Sequence, residues 1–212
     1  MNTKAISDLV VENWKAVAGI ILAALVVVGG VALWKERSER REMAATNALY
    51  EAQLAAKDLI AGKQLEQAEK SYEKLFAEYP GSRAAYEAEL QIGDLWMEAK
   101  NFDKATEHYE KAASHAKDSF SRLLARYNLG ISQESAGKFK EAVATYEETL
   151  KTDGSDFLRP EVLMAQARCY EALKENQKAI ELYKTVQEKF AARSYYSGAA
   201  SAFEKQLSAK RL

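Results

Sequence analysis

One period organises most of this sequence: an alanine followed four residues later by a tyrosine recurs every 37 residues. The four pairs are Ala68–Tyr72, Ala105–Tyr109, Ala142–Tyr146 and Ala179–Tyr183. Twelve positions before each alanine stands a second small residue; these residues are Ala56, Gly93, Gly130 and Ala167. Four copies at one interval indicate stacked structural repeats, each of which buries its apolar face against its neighbours.

The spacing within each unit predicts a pair of helices. Residues four positions apart share a face of a helix, so the alanine permits close approach of a second helix and the tyrosine fills the space beyond it. The chain has only 2 Pro and 10 Gly, too few for a turn-rich β fold. Short polar breaks separate the predicted helices, at Gly62–Lys63, Pro80–Ser82, Lys100–Asn101, Lys117–Asp118, Gly137–Lys138, Gly154–Ser155 and Glu175–Asn176. We therefore predict an all-α fold.

The small and aromatic positions resemble the tetratricopeptide (TPR) repeat family, whose unit has a small residue in its first helix and an alanine and an aromatic residue in its second. The matching residues are Gly93, Trp96, Ala105 and Tyr109 in the second unit, Gly130, Gly137, Ala142 and Tyr146 in the third, and Pro80 at the end of the first. The resemblance implies a TPR superhelix of about four helix-turn-helix repeats, near 45–81, 82–118, 119–155 and 156–193.

Two features depart from the usual repeat. The period of 37 residues exceeds the usual length of about 34, which implies an extra turn of helix or a longer loop between units. In the fourth unit, polar Gln166 and Asn176 stand where apolar residues are expected. Residues 194–212 then predict a C-terminal helix that caps the last repeat. Its apolar face consists of Ala199, Ala200, Phe203 and Leu207.

An apolar segment precedes the repeats. From Ala16 to Leu33 no residue is charged or strongly polar, and these eighteen residues would span about 27 Å as a helix, close to the thickness of the hydrocarbon layer. Trp14 and Trp34 flank the segment, where interfacial aromatic residues are expected. We therefore predict a short tail over 1–13, a transmembrane helix over 14–34 and a helical connector over 35–44.

Two other interpretations of the segment are a buried core helix and a cleaved signal peptide. A signal peptide usually has a shorter apolar region that ends in small residues, whereas this one ends in Leu33, Trp34 and Lys35. Neither Pro nor Gly occurs between Gly30 and Gly62, so the helix can continue into the first repeat.

The basic residues around the segment bear on its orientation. They are Lys4 and Lys15 before it and Lys35, Arg37, Arg40 and Arg41 after it. By the positive-inside rule alone, this small excess indicates that the repeats face the cytoplasm.

The sequence contains few residues that indicate chemistry. Lys and Arg (30) balance Asp and Glu (31), so a dedicated nucleic-acid binder is not expected. The single cysteine, Cys169, excludes an intramolecular disulfide and is expected to be a small buried side chain rather than a reactive thiol. The histidines, His108 and His115, are seven residues apart; they are either solvated surface residues or, with two further donors, metal ligands. Without a phosphate-binding loop, nucleophile elbow or metalloprotease motif, we expect no enzymatic activity, catalytic residues, metal, cofactor or small-molecule substrate.

The TPR resemblance also implies a binding surface, because the first helices of successive repeats line a concave groove in that family. The corresponding residues are Gln53 and Lys57 in unit one, Glu87, Leu90, Asp94 and Met97 in unit two, Tyr127, Ile131 and Glu134 in unit three, and Met164, Arg168 and Glu171 in unit four. This groove is apolar with acidic edges, which suits an amphipathic or basic protein segment. The alternative is that several of these residues only pack against the next helix.

One membrane segment followed by a TPR domain resembles the ancillary subunits of the bacterial Sec translocon. The run from Phe76 to Ala84 and the 37-residue period also resemble other envelope TPR proteins. These resemblances imply a single-pass inner-membrane protein with a cytoplasmic N-terminus and a periplasmic TPR domain, since a long domain is translocated largely regardless of flanking charge. The implied function is a protein-binding scaffold that contacts the translocon, exported polypeptides and periplasmic chaperones. The alternative is a structural adaptor with one fixed partner in an envelope or cell-division complex.

Overall fold

The computed structural model describes residues 13–209, and of Val17 only the backbone. Ten α-helices and one short 3₁₀ turn occupy this range, which contains no strand, so the predicted all-α fold is confirmed. The helices are α1 Trp14–Ala61, α2 Leu65–Lys70, α3 Glu73–Glu78, α4 Arg83–Glu98, α5 Phe102–His115, α6 Ser119–Ser135, α7 Phe139–Lys151, α8 Arg159–Ala172, α9 Asn176–Lys189 and α10 Ser194–Ala209.

Contacts divide the chain into two units, one ending at Ala44 and one beginning at Ala45. The first unit contains the apolar part of α1, whose described side chains are exposed; Trp14 is 61% and Trp34 70% exposed. The structure therefore does not show a buried core helix here. By length and composition, the segment is long and apolar enough to cross a membrane. The predicted tail over 1–13 and Lys4 lie outside the described residues, apart from Asn13, and so do the last three residues of the predicted cap.

The second unit consists of antiparallel helix pairs in sequence order. The C-terminal part of α1 packs against α2 and α3, followed by the pairs α4–α5, α6–α7 and α8–α9, and each helix also contacts the next pair. The small residues, the alanines and the tyrosines of the 37-residue period are all buried. The alanine and tyrosine side chains are at most 3% exposed. The packing role that the period predicts for these residues is confirmed.

In the second and third repeats, the tyrosine of the second helix leaves space only for a glycine on the first helix. A Cβ atom added at Gly93 would lie 2.7 Å from Cε1 of Tyr109, and one added at Gly130 would overlap the ring of Tyr146. Contacts that close do not occur between real side chains, so only glycine permits these helices to approach as they do.

The turn inside each repeat contains a residue in the left-handed conformation. These residues are Lys63, Lys100, Gly137 and Lys174, with φ between 57° and 75°. In each turn this residue and the next donate backbone hydrogen bonds to the end of the first helix, for example Lys100 N to Met97 O (3.0 Å) and Asn101 N to Trp96 O (2.9 Å). This is the Schellman motif, which terminates a helix by satisfying its last carbonyls.

Two details differ from the simple repeat. The second helix of the first unit, predicted as continuous, is divided between α2 and α3, because Ser71 and Tyr72 donate to carbonyls only three residues back. The long period is accommodated in two ways: α4 and α6 have 16 and 17 residues, whereas α8 has 14 and follows a loop that contains the 3₁₀ turn Ser155–Phe157.

The last helix, α10, covers the open side of α9. Ala200 and Leu207 are buried in the same apolar cluster as Tyr183, and Ala199 is half-buried. Phe203 stacks on Tyr183 with ring centroids 5.7 Å apart, while remaining 40% exposed. The predicted C-terminal cap is therefore present over the described part of this segment.

Candidate functional site

Side chains link the first helices of successive repeats directly, so these helices form one continuous surface. Nε2 of Gln53 donates to Oε1 of Gln91 (2.9 Å) between the first two units. Between the third and fourth, Arg168 donates to both carboxylate oxygens of Glu134, at 2.8 and 3.1 Å. The hydroxyl of Tyr196 on the cap then donates to Glu161 (3.3 Å). All of the predicted groove residues lie on these first helices.

The apolar groove residues differ in accessibility. Leu90, Met97, Tyr127 and Ile131 are each half-buried, so their outer parts remain available to a partner. Met164 is 6% exposed and belongs to the core between α8 and α9, which is the packing alternative considered for these positions. The accessible apolar part of the surface therefore lies on the second and third units.

Three carboxylates line the same surface and are held by the repeat tyrosines. The hydroxyl of Tyr109 donates to Asp94 (2.6 Å), that of Tyr146 to Glu134 (3.0 Å) and that of Tyr183 to Glu171 (2.5 Å). Burial raises the pKa of all three tyrosines, and the adjacent carboxylates raise it further, because both effects disfavour the phenolate. Each tyrosine therefore fills the space beside the small residue and fixes a negative charge at the groove.

The remaining groove residues are charged. Glu87 pairs with Arg83 within α4 (3.0 Å), and Lys57 is exposed. Burial lowers the pKa of Arg168, but the hydrogen bonds and charge of Glu134 outweigh it and raise the pKa above its ordinary value. Arg168 is thus held as a cation whose charge is matched by Glu134, whereas Asp94 and Glu171 add negative charge to this surface and Lys57 adds positive charge.

Burial raises the pKa of the Cys169 thiol to about 12, and its side chain is fully buried. The prediction of a small buried side chain is confirmed, since such a thiol is protonated at neutral pH and unreactive.

His108 corrects the prediction of a solvated surface histidine. It is only 3% exposed, and its Nδ1 lies 2.6 Å from Oε2 of Glu89, which is equally buried. Its Nε2 lies 3.3 Å from Glu69 of the first repeat, a residue that also accepts a hydrogen bond from Trp96. The other histidine, His115, is half-buried.

This cluster connects repeats and does not resemble a metal centre. Among the described residues, no group of three His, Cys, Asp or Glu side chains is arranged to hold a metal ion. A cavity of about 590 Å³ beside the first turn is open to solvent, and the residues that line it include Ile60, Leu65, Leu95 and Trp96. A surface that extends over the first helices of several repeats is suited to a polypeptide segment.

Comparison with known protein families agrees with this geometry. The family model of the tetratricopeptide repeat-like domain matches residues 10–194, which include the apolar segment as well as the repeats. The chain therefore belongs to the tetratricopeptide repeat-like family, whose fold serves as a protein-interaction scaffold.

Solved structures show the same fold at low sequence identity. The nearly identical TPR-like repeats of a Podosopora anserina kinesin light chain superpose with a TM-score of 0.54 at 18% identity, covering 77% of this chain and 92% of that one. Apo RapI gives 0.64 at 14% identity, covering 77% of this chain and 49% of RapI. MamA of MSR-1 gives 0.50 at 20% identity, covering 68% and 76%. A comparison with curated protein sequences finds no match.

Proposed function

We propose that this protein is a membrane-anchored, protein-binding scaffold of the bacterial cell envelope, associated with protein translocation. The apolar part of α1 crosses the inner membrane once, and the repeats face the periplasm, where they bind exported polypeptides and pass them to periplasmic chaperones. The exposed eighteen-residue apolar segment supports the membrane anchor. The family model begins at residue 10, which supports the view that the apolar segment is part of the same family architecture as the repeats.

The groove surface carries the binding part of this proposal. Leu90, Tyr127 and Ile131 present half-buried apolar surface on two adjacent repeats, and Asp94 and Glu171 add negative charge on either side. Such a surface binds an extended or helical segment that combines apolar and basic side chains. Because the carboxylates are already oriented by tyrosine hydroxyls, binding does not have to order them.

A crosslinking experiment tests groove binding. Tyr127→Ser and Leu90→Ser in the full chain should each weaken crosslinking to an exported polypeptide arrested during translocation, while helical circular dichroism is retained. Phe120→Ser is the matched control, since Phe120 is 57% exposed on the same helix as Tyr127 and lies outside the groove residues. Interface energy concentrates in a few central apolar residues, so a loss of severalfold or more is expected.

The other outcomes separate the alternatives. Retained crosslinking in both groove variants contradicts binding at this surface, and loss of folding in both shows that Leu90 and Tyr127 are core residues. Loss of a single, tightly bound envelope protein, with arrested polypeptides unaffected, favours the structural adaptor with one fixed partner.

Reporter fusions test the orientation. An alkaline phosphatase fused after Leu212 should be active, because this reporter folds only outside the cytoplasm. If a fusion to green fluorescent protein is bright while the phosphatase fusion is inactive, the repeats lie in the cytoplasm, as the count of flanking basic residues indicates.

A further inference from the structure

The charged residues that follow the apolar segment divide into two sets, those that form ion pairs within α1 and those that do not. Nζ of Lys35 lies 3.8 Å from Oε1 of Glu39, and a guanidinium nitrogen of Arg40 lies 2.7 Å from Oε1 of Glu36. Both pairs join residues four positions apart, the separation at which side chains meet on a helix. The charge of this first set is therefore balanced within the helix.

Arg37 and Arg41 form the second set. Neither has an acidic residue three or four positions away, so neither has an intrahelical partner of the kind that Lys35 and Arg40 have. Both are exposed, and no hydrogen bond or ion pair connects them to another residue in the described range 13–209.

Trp34 lies on the same stripe as the two arginines. At 100° per residue, positions 34, 37 and 41 fall within about 60° of one another around the helix, and Trp34 is 70% exposed. Arg37 and Arg41 follow it by about 5 and 10 Å along the axis. Immediately before the stripe comes the eighteen-residue apolar segment.

We propose that Trp34, Arg37 and Arg41 bind the phosphate of an anionic phospholipid headgroup. This inference rests on the proposed membrane anchor, which places Trp34 at the edge of the hydrocarbon layer. An indole is favoured at that depth because its ring is apolar and its N–H is polar. The guanidinium groups beyond it have the donor geometry that matches a phosphate, and no carboxylate competes for them.

The proposal predicts a preference for anionic lipid in the full chain. The chain is reconstituted in nanodiscs of mixed phosphatidylcholine and phosphatidylglycerol, and native mass spectrometry after transfer to detergent gives the ratio of the two lipids that remain bound. Arg37→Gln with Arg41→Gln should lower the phosphatidylglycerol share about fivefold per arginine, the factor that corresponds to the attraction of one basic residue to an anionic surface.

Lys35→Gln with Arg40→Gln is the matched control, because it removes the same charge from residues that are ion-paired within the helix. A small change in this control, beside a large one in the arginine variant, is the expected result. Equal losses would show that only net charge matters, and no loss in either would show that no headgroup site exists; both overturn the proposal. Carbonate extraction of vesicles carrying the chain separates the two levels: a chain that is extracted has no anchor, whereas a retained chain with an unchanged lipid ratio lacks only the headgroup site.

Discussion

Single residues determine how closely the helices of each repeat approach. Gly130 lies under the ring of Tyr146 and Gly93 under that of Tyr109, so there is no space for a methyl group at either position. The sequence predicted these contacts because a small residue, an alanine and a tyrosine recur at a constant spacing. Such a pattern is readable without a structure, since each copy supports the others.

Gly130→Ala should therefore destabilise the protein by about 1–3 kcal/mol through overpacking. In the absence of a clash, the same change within a helix stabilises by up to about 1 kcal/mol. Gly198→Ala provides this control, because Gly198 lies in α10 and a Cβ atom there meets nothing within 4 Å. Urea unfolding of the full chain in detergent measures both, and a stabilising Gly130→Ala would contradict the packing described.

The buried pair of His108 and Glu89 was not predictable in the same way. His108 lies three residues after Ala105 and so shares the buried face of α5, but its acidic partner comes from α4 and has no counterpart in the other repeats: the equivalents of Glu89 are Ala52, Arg126 and Leu163. A contact that occurs once has no period to reveal it.

His108→Phe should destabilise the protein by about 3–5 kcal/mol, because it leaves Glu89 buried without its partner. Replacing both residues, His108→Phe with Glu89→Leu, removes the unpartnered carboxyl group and should recover most of that loss. Chemical denaturation of the wild type and the single and double variants completes the comparison. A double variant less stable than His108→Phe alone would show that the side chain of Glu89 has another important role.

At the scale of elements, the turns show where sequence signals fail. Glycine marks the left-handed position in only one of the four repeat turns, Gly137, whereas lysine occupies it in the others. The polar breaks predicted that turns occur there, but not their conformation, because lysine has no preference for positive φ. The Schellman hydrogen bonds impose that conformation on Lys63, Lys100 and Lys174.

Lys100→Gly should therefore stabilise the protein by up to about 1 kcal/mol, since the left-handed conformation costs an L-residue about 1–2 kcal/mol and glycine loses part of that gain to chain entropy. Gly137→Ala is the reciprocal change at the equivalent position, where a Cβ atom meets nothing within 4 Å, and it should destabilise by a similar amount. Thermal unfolding monitored by circular dichroism compares the two. Shifts of the same sign would contradict the conformational explanation.

At the scale of the whole molecule, the sequence predicted the helical repeats and the C-terminal cap, but not which groove residues are accessible. Met164 and Leu90 occupy equivalent positions two repeats apart, yet Met164 is buried against α9 while Leu90 is half-buried. The difference depends on how neighbouring helices pack around each position. The spacing of residues along one helix does not contain this information.

Binding of protein segments at the surface of the first helices can be tested in the membrane of a bacterial host, with a photoreactive amino acid placed at Ile131 in the full chain. The same probe at Ala144, an exposed residue on the second helix of that repeat, is the control. We predict ultraviolet-dependent crosslinks to exported polypeptides from position 131 and few from position 144. Crosslinks from position 144 alone, or from neither position, would contradict the claim.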